Sequence, residues 1–388
     1  MINCSNNLFK MKITNYEEME TIKKNEHKSE IFHSQEGLVS IIIPVYNGES
    51  RLEELIESLV NQTYKKIEII TVDNNSTDNS RDVLEELSKE KMPLRIFSNK
   101  QNEGYCGGCN RGIENADGEF LLFLSQDRIM NSDWIEKTVN EMNSDEKIGC
   151  VIGKVVREGA SSAEYGHSYD VYGAVLINGS PEESNLFFGG GTVIIKKRVL
   201  DKIGKFDPEF FIYQEDVDIC WRIRLSGNKI KIVENAICQN KGGGISDTFY
   251  DSDKYQIKFD TELVNMPVYK FYYSQKNRIR TMLKNYSTKN VWKRIPISII
   301  MIFLRGIFMS IKNKNISYFT AVFKGFFWNI LYLNNTMQFR KKIQANRIVN
   351  DKEIEKHMIK HSIELEGIKM IMKQFVGRKE SKNDEMHT

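Results

Sequence analysis

The stretch GYCGGCNRG (residues 104–112) sets Cys106 and Cys109 at C-x-x-C spacing among four glycines. Two thiols so placed can form a redox pair or half of a zinc site, and the same spacing arises in a glycine-rich turn that needs small side chains. A redox pair usually opens the first helix of a small domain, and a zinc site needs a second pair. The remaining cysteines, at 4, 150, 220 and 238, are not spaced to provide one. A second group of candidates is polar. Tyr46-Asn47, Asp73-Asn74, Asn99 to Asn102 and Gln126-Asp127 each follow an apolar run. Glu215-Asp216 opens a later helical pattern, where a carboxylate is stabilised in its ionised, acceptor form. Any work it does as a proton acceptor must then come from placement.

Elements must position these residues. LVSIIIPVYN (38–47) is a continuous apolar run ended by Pro44 and Asn47-Gly48, the pattern of a buried parallel strand. ESRLEELIESLVNQT follows with Leu52, Leu55, Ile56 and Leu59 at helical spacing. KIEIITVDNNSTDNS (66–80) predicts a second strand and RDVLEELSKE a second helix, while LRIFSN (94–99) predicts a third strand whose following helix opens at the glycines. EFLLFLSQD (119–127) predicts a fourth strand, and NSDWIEKTVNEM a helix capped by Ser132 or Asn131. Such alternation builds an α/β domain, a doubly wound and mostly parallel sheet that binds ligands outside the carboxyl ends of its strands. The polar residues above all fall at those ends. After about residue 148 the alternation weakens; residues 187–227 predict a glycine turn, a strand, a short helix and then the helix opened by the acids.

At 388 residues, with 40% hydrophobic and 28% charged side chains, the chain can bury a large core without disulfide staples. The first residues show no basic-then-apolar signal pattern, which predicts a reducing, cytoplasmic setting. Two nucleotide folds are excluded. Only one glycine follows the first strand, in IPVYNGES, where a dinucleotide fingerprint needs three, and GCVIGKV (149–155) has neither the spacing nor the hydroxyl of a phosphate loop.

Taken in order, SIIIPVYN, IEIITVDNNSTDNS, NEGYCGGCNRG, GEFLLFLSQD and residues 187–227, followed by a basic tail, resemble inverting family 2 glycosyltransferases of bacterial polysaccharide synthesis. The rhamnosyltransferase-like branch is the look-alike, through FLSQD, and the resemblance covers roughly residues 38–350. It implies a GT-A fold with a Rossmann-like nucleotide-binding half, a dTDP- or UDP-sugar donor (dTDP-rhamnose among them), Mg2+ or Mn2+, and inversion at the anomeric carbon. Asp73 would hold the pyrimidine N3–H, although an Asp there also serves as an ordinary turn cap. Asp127 would hold the metal, with Ser125 in place of a first aspartate. Asp216, beside Glu215, would be the general base. Lys241 stands with Asn240 where the family often has a histidine ligand, and would place a positive charge beside the diphosphate. Pro44, Tyr46, Asn47 and Gln126 would line the nucleotide-sugar pocket. So would Asn102, Gly104, Gly107, Asn110 and Arg111 of the glycine loop, and Gly190 of FGGGTVII, where a missing Cβ lets backbone approach a ligand. On this reading Cys106 and Cys109 fill slots for small side chains, and a helix dipole at the loop would lower a thiol pKa. The departures at Ser125 and Lys241 leave a second class open: a non-catalytic nucleotide-sugar- or membrane-binding paralogue.

The chain divides into an extension (1–36), the GT-A domain (37–265), a basic amphipathic helical region (266–350) and a helical, then disordered tail (351–388). From Leu263 to Asn350 there is no acid and a charge of +16, so with +3 overall the remainder carries −13. The longest uncharged apolar run there, Ile295 to Leu304, falls short of the roughly 20 residues that span a bilayer. Basic residues interleaved with Phe, Trp, Ile and Leu predict helices lying on an anionic membrane surface at the cytoplasmic face, beside a lipid-linked glycan acceptor. No nucleic-acid module accompanies the charge.

Overall fold

The computed structural model describes residues 34–157, 163–178, 192–241, 248–251, 256–259 and 266–367. The extension up to residue 33 and the expected ligand-approach glycine Gly190 lie outside them. The first strand, β1 (Gln35–Val45), sends Ile41, Ile43 and Val45 to one face and Ile42 to the other, and all are buried. This two-sided burial is why the run reads as continuously apolar. Helix α1 (Glu49–Val60) lays Leu52, Leu55, Ile56 and Leu59 on the first face. After β2 (Ile67–Asp73), α2 (Ser80–Glu90) and β3 (Leu94–Ser98) comes α3 (Gly104–Glu114), which covers the opposite face with Cys106, Cys109 and Ile113. Strands β4 (Gly118–Leu124) and β5 (Arg128–Met130) precede α4 (Trp134–Ser144), which has Asp133 rather than Ser132 or Asn131 at its cap position.

The second half is less regular than the alternation predicts. It comprises β6 (Ile148–Arg157), the short β7 (Ala163–Glu164), β8 (His167–Tyr169) and β9 (Val175–Asn178), and β10 (Thr192–Lys196). Helix α5 (Lys197–Ile203), α6 (Glu215–Leu225), β11 (Lys229–Asn240), β12 (Thr248–Asp251) and β13 (Gln256–Phe259) follow. The main sheet runs β3-β2-β1-β4-β10-β6-β11-β5, with β7 beside β6. Strands β1 to β4 are parallel, and Val45 pairs with Asp73 as Asp73 pairs with Ser98, so the carboxyl ends finish at one edge. Strand β10 enters antiparallel between β4 and β6, and β5 closes the far edge antiparallel to β11. The sheet is therefore curled and mostly parallel. A second sheet orders β13-β12-β9-β8.

Four longer helices follow, α7 (Val268–Asn285), α8 (Thr288–Lys312), α9 (Ser317–Leu331) and α10 (Leu333–Ala345), and a short helical turn at Asp351–Ile354 comes after them. Here the structure revises the reading of the basic region. Helix α7 buries Lys276, Arg278, Arg280 and Lys284. Asp207 accepts from Arg280 Nε at 2.8 Å and from Lys284 Nζ at 2.6 Å. Lys284 also reaches Asp218 at 3.0 Å, and Asp218 pairs with Arg222 at 2.9 Å. Arg278 and Arg305 share Glu364, Arg294 meets Glu355, and Arg347 meets Asp351. The acid-free stretch thus draws its counter-charges from segments before and after it. Helix α7 is an internal strut of the domain rather than part of a membrane-facing surface.

Helices α8 and α9 keep the expected character on one side. Helix α8 has 25 residues, long and apolar enough by itself to cross a membrane, although its longest uncharged run is shorter. Its inner face (Ile295, Met301, Ile302, Met309) packs onto α7 and α9. Outward it exposes Trp292, Ile300, Leu304, Ile307, Phe308 and Ile311, and α9 exposes Phe323, Phe327, Ile330 and Leu331 beside them. Lys289, Lys293, Lys312, Lys324, Lys341 and Lys342 are exposed on the same helices and on α10.

Candidate active site

The carboxyl ends of β1 and β4, the start of α3, the start of α6 and the first turns of α7 enclose one cleft of about 750 Å³. Of the residues expected to act together, Pro44, Tyr46, Asn102, Gly104, Gln126, Asp127, Glu215 and Asp216 line it. Gln126 braces its rim: Tyr46 N donates to Gln126 Oε1 at 2.9 Å, and Gln126 Nε2 donates to Tyr46 O at 3.1 Å. Asn102 Oδ1 accepts from Gly104 N at 2.8 Å, which turns the chain into α3. Gly104 has φ +71°, and a Cβ there would sit 2.3 Å from Phe211 O, so only glycine lets the α3 start meet the loop that carries the acids.

Other expected contacts do not line the cleft. Asp73 is buried and accepts from Ser76 N at 3.0 Å, capping the turn, while its neighbour Asn74 is the cleft residue. Asn47 Oδ1 accepts from Thr77 N at 2.8 Å. Asn110 exchanges two hydrogen bonds with the backbone of Phe206, at 2.9 and 3.0 Å, so its amide ties α3 to α5's exit. Arg111 lies half-exposed beside Glu114 and over the Phe97 ring. At Gly107 a Cβ would meet Glu103 Cβ at 2.3 Å, so the missing atom serves helix packing. Lys241 N donates to Asp127 O at 3.0 Å, but its ammonium pairs with Glu54 of α1 at 3.1 Å.

The thiols are core groups. Cys106 and Cys109 point from α3 onto Ile42, Ile70 and Val72. Burial pushes both well above the usual thiol range, with the Glu215 carboxylate adding to the rise. Desolvation overrides the helix dipole, so they are inert rather than reactive.

Glu215 and Asp216 begin α6 behind an unusual loop. Phe211, Tyr213 and Gln214 all have positive φ, between 63° and 69°. Such strain persists only where surroundings over-determine it. The amide Nδ2 of buried Asn277 lies 2.9, 2.9 and 2.8 Å from the carbonyls of Phe210, Ile212 and Tyr213. Lys276 Nζ donates to Glu209 O at 2.6 Å. The acids are therefore aimed by α7, about 60 residues further along the chain. Burial pushes Asp216 up to about 7, even though Val217 N donates to its Oδ1 at 2.8 Å. Glu215 is raised well above the carboxylate range by burial and by the Asp216 charge, and its Oε2 has no hydrogen-bond partner among the described residues. The helix start does stabilise anions, but desolvation wins, which leaves Asp216 a carboxyl that titrates near neutrality. Sequence reasoning missed Asn277, Lys276 and Arg128; only the last has a local signal, a charge directly after Asp127.

A curled, mostly parallel sheet with a polar cleft at its carboxyl edge and a helical C-terminal region is a GT-A-type fold. Residues 40–204 match the family model described as Glycosyl transferase family 2. An uncharacterized glycosyltransferase of Haemophilus influenzae is 30% identical over 187 residues, 46% of this chain and 58% of that protein. The GalNAc(5)-diNAcBac-PP-undecaprenol beta-1,3-glucosyltransferase of Campylobacter jejuni is 32% identical over 178 residues, 45% of this chain and 50% of that protein. Among solved structures, GalNAc-T7 with UDP, GalNAc and Mn2+ has a TM-score of 0.51 at 18% identity, covering 76% of this chain and 58% of that one, a likeness of fold alone. The chain spans about half the length of the curated relatives it matches.

Proposed function

We propose that the protein is an inverting glycosyltransferase. It moves a sugar from a UDP- or dTDP-sugar, dTDP-rhamnose among the candidates, to a hydroxyl of a lipid-linked glycan at the cytoplasmic face of a membrane. The observation that carries the reading is Asp216, half-buried at the head of α6 and raised to about 7, in one cleft with the strand-end residues Tyr46, Asn102, Gln126 and Asp127. The acceptor oxygen forms its bond to the anomeric carbon as the carbon–diphosphate bond breaks on the opposite face. The acceptor proton passes to the Asp216 carboxylate, and the electron pair leaves with the nucleoside diphosphate.

A divalent cation, Mg2+ or Mn2+, has one carboxylate suited to it. Asp127 Oδ1 is buried without a hydrogen-bond partner among the described residues, an oxygen that a cation would satisfy. No group of three His, Cys, Asp or Glu gathers there among the described residues, so diphosphate oxygens and water would complete the sphere. When bound, the ion supplies charge to the departing diphosphate.

Turnover of UDP- or dTDP-sugars by purified protein, read as released nucleoside diphosphate with a lipid-linked acceptor present, tests the reading. Tight nucleotide binding with no turnover on any acceptor would support the non-catalytic paralogue instead. If Asn277 aims the acids, Asn277→Ala leaves UDP or dTDP affinity within about twofold and lowers turnover by about 10- to 100-fold. Loss of nucleotide affinity in step with turnover would assign Asn277 to general stability.

The apolar outer face of α8 and α9, rimmed by lysines, is the surface that would rest on lipid. Basic residues near an anionic surface contribute about 1 kcal/mol each. Phosphatidylglycerol vesicles should therefore sediment the protein more strongly than phosphatidylcholine vesicles. The triple variant Trp292→Ser, Ile311→Ser, Phe327→Ser should remain unbound at the same lipid concentration. Equal binding of the variant would remove α8 and α9 as the contact.

A further inference from the structure

Arg128 opens β5, directly after Asp127, and its backbone pairs with Asn240 of β11. It lines the cleft and is 8% exposed. Its Nε and Nη1 are buried with no hydrogen-bond partner among the described residues. The nearest carboxylate oxygen, Asp127 Oδ1, is 3.7 Å from Nε, beyond hydrogen-bond reach, and is itself unpartnered. Three other arginines around the cleft are engaged: Arg157 by Glu164, Arg278 and Arg305 by Glu364. Nearby His167 is held neutral, pushed down to about 3 by burial and by the charges of Arg128 and Arg157, so it adds no positive charge beside the guanidinium. A guanidinium withdrawn from water with its donors unmade is unfavourable in a structural role and is expected where a ligand completes it.

We propose that Arg128 is a binding residue for the diphosphate of a nucleoside-diphosphate sugar, its Nε and Nη1 donating to phosphate oxygens beside Asp127. The planar fork of a guanidinium matches phosphate oxygens in a way a point charge does not. The inference rests on the donor reading above and adds the residue that grips the donor's charged part. It places fixed positive charge at the departing group within the protein itself, next to the one carboxylate suited to a cation.

The test titrates the full chain in EDTA, so that the arginine is read alone, with UDP, dTDP, uridine and thymidine. Wild type, Arg128→Gln and Arg128→Lys are compared, and the thermal midpoint of each is recorded. Arg128→Gln should lose at least tenfold in affinity for the preferred diphosphate, keep its affinity for the matching nucleoside, and hold or raise its thermal midpoint. Arg128→Lys should recover part of the loss. An unchanged diphosphate affinity in Arg128→Gln overturns the proposal while leaving the donor reading intact. So does an equal loss for nucleoside and diphosphate with a falling midpoint, which would make Arg128 structural. A wild type that binds neither UDP nor dTDP overturns the donor reading and this inference together.

Discussion

Asp216→Asn should reduce sugar transfer by about a thousandfold while leaving UDP or dTDP affinity within about twofold. Asparagine keeps the shape and the hydrogen bond from Val217 N, but it cannot take the acceptor's proton. As the proposed base Asp216 would work deprotonated, and with its carboxyl pushed up to about 7, wild-type turnover should climb as pH rises through about 7 and level off above it. The same shift has a stability side. A carboxyl whose folded pKa lies above its unfolded value, roughly 3.9, favours folding in its protonated form, and this contribution is lost as pH rises through about 7. Asp216→Asn should therefore melt higher than wild type at pH 8 and nearer to it at pH 5. A variant that retains most of its turnover, or a profile flat from pH 5 to 9, would take the general base away from Asp216. The Asp216 charge in turn raises Glu215, Tyr105 and Tyr169, so Glu215 is held protonated where Asp216 titrates, and replacing Glu215 by Gln should leave the apparent pKa of the profile nearly unchanged.

The second large effect lies in the core. Asp207→Ala should cost about 3–5 kcal/mol, read as a shifted urea midpoint, because it strands Arg280 and bares one side of Lys284 in the interior. Both cations are fully buried, and Arg280 also donates to Thr336 Oγ1 at 2.6 Å and Asn335 Oδ1 at 2.7 Å, so the damage spreads to α10. The Lys284 and Arg280 charges hold the Asp207 carboxyl well below the usual carboxylate range. A depressed pKa contributes stability that is present above the unfolded value, roughly 3.9, and is lost as pH falls below it. Wild type should thus lose more stability than Asp207→Ala between pH 5 and pH 2. A change below 1 kcal/mol in the alanine variant, with no difference in acid sensitivity, would mean the network is solvated rather than internal.

Asp207 also connects stability to the site. It caps the turn that leads into Phe211–Gln214, and α7, which it anchors, carries Asn277. Rigid helix–acid pairing behind a strained loop lets the loop hold positive φ without relaxing. Turnover in Asp207 variants should accordingly fall further than their folded fraction does.

Much of this was readable from local pattern. The continuous apolar run at 38–45 has the pattern of a buried parallel strand and is buried on both faces, and the helix-periodic residues Leu52, Leu55, Ile56 and Leu59 do pack as one stripe. With β1 to β4 parallel, the polar residues after each run had to meet at one edge. Tyr46, Asn102, Gln126 and Asp127 do so. The acid pair at 215–216 opens a helix as its spacing indicates. Less visible was the division of labour among the amides. Asn47 and Asn110 brace turns and elements through backbone bonds, a job that side-chain type alone does not separate from ligand binding. The ion pair of Lys241 with Glu54 on α1 joins residues far apart in the chain, a contact that local pattern does not show.

The sequence by itself determined the order of strands and helices, the edge at which polar groups collect, and the position of the acid pair, since periodicity and turn chemistry act over a few residues. Only the tertiary structure decided the charge states and the partners. The Asp216 carboxyl is brought near neutrality and the C-x-x-C thiols are made inert by burial, which is a property of what surrounds a group and not of its neighbours in the chain. The acid-free stretch looked like an uncompensated field of +16, yet its innermost cations are neutralised by Asp207 and Asp218. Coulomb and desolvation energies depend on distance through space, and folding sets that distance without regard to sequence separation.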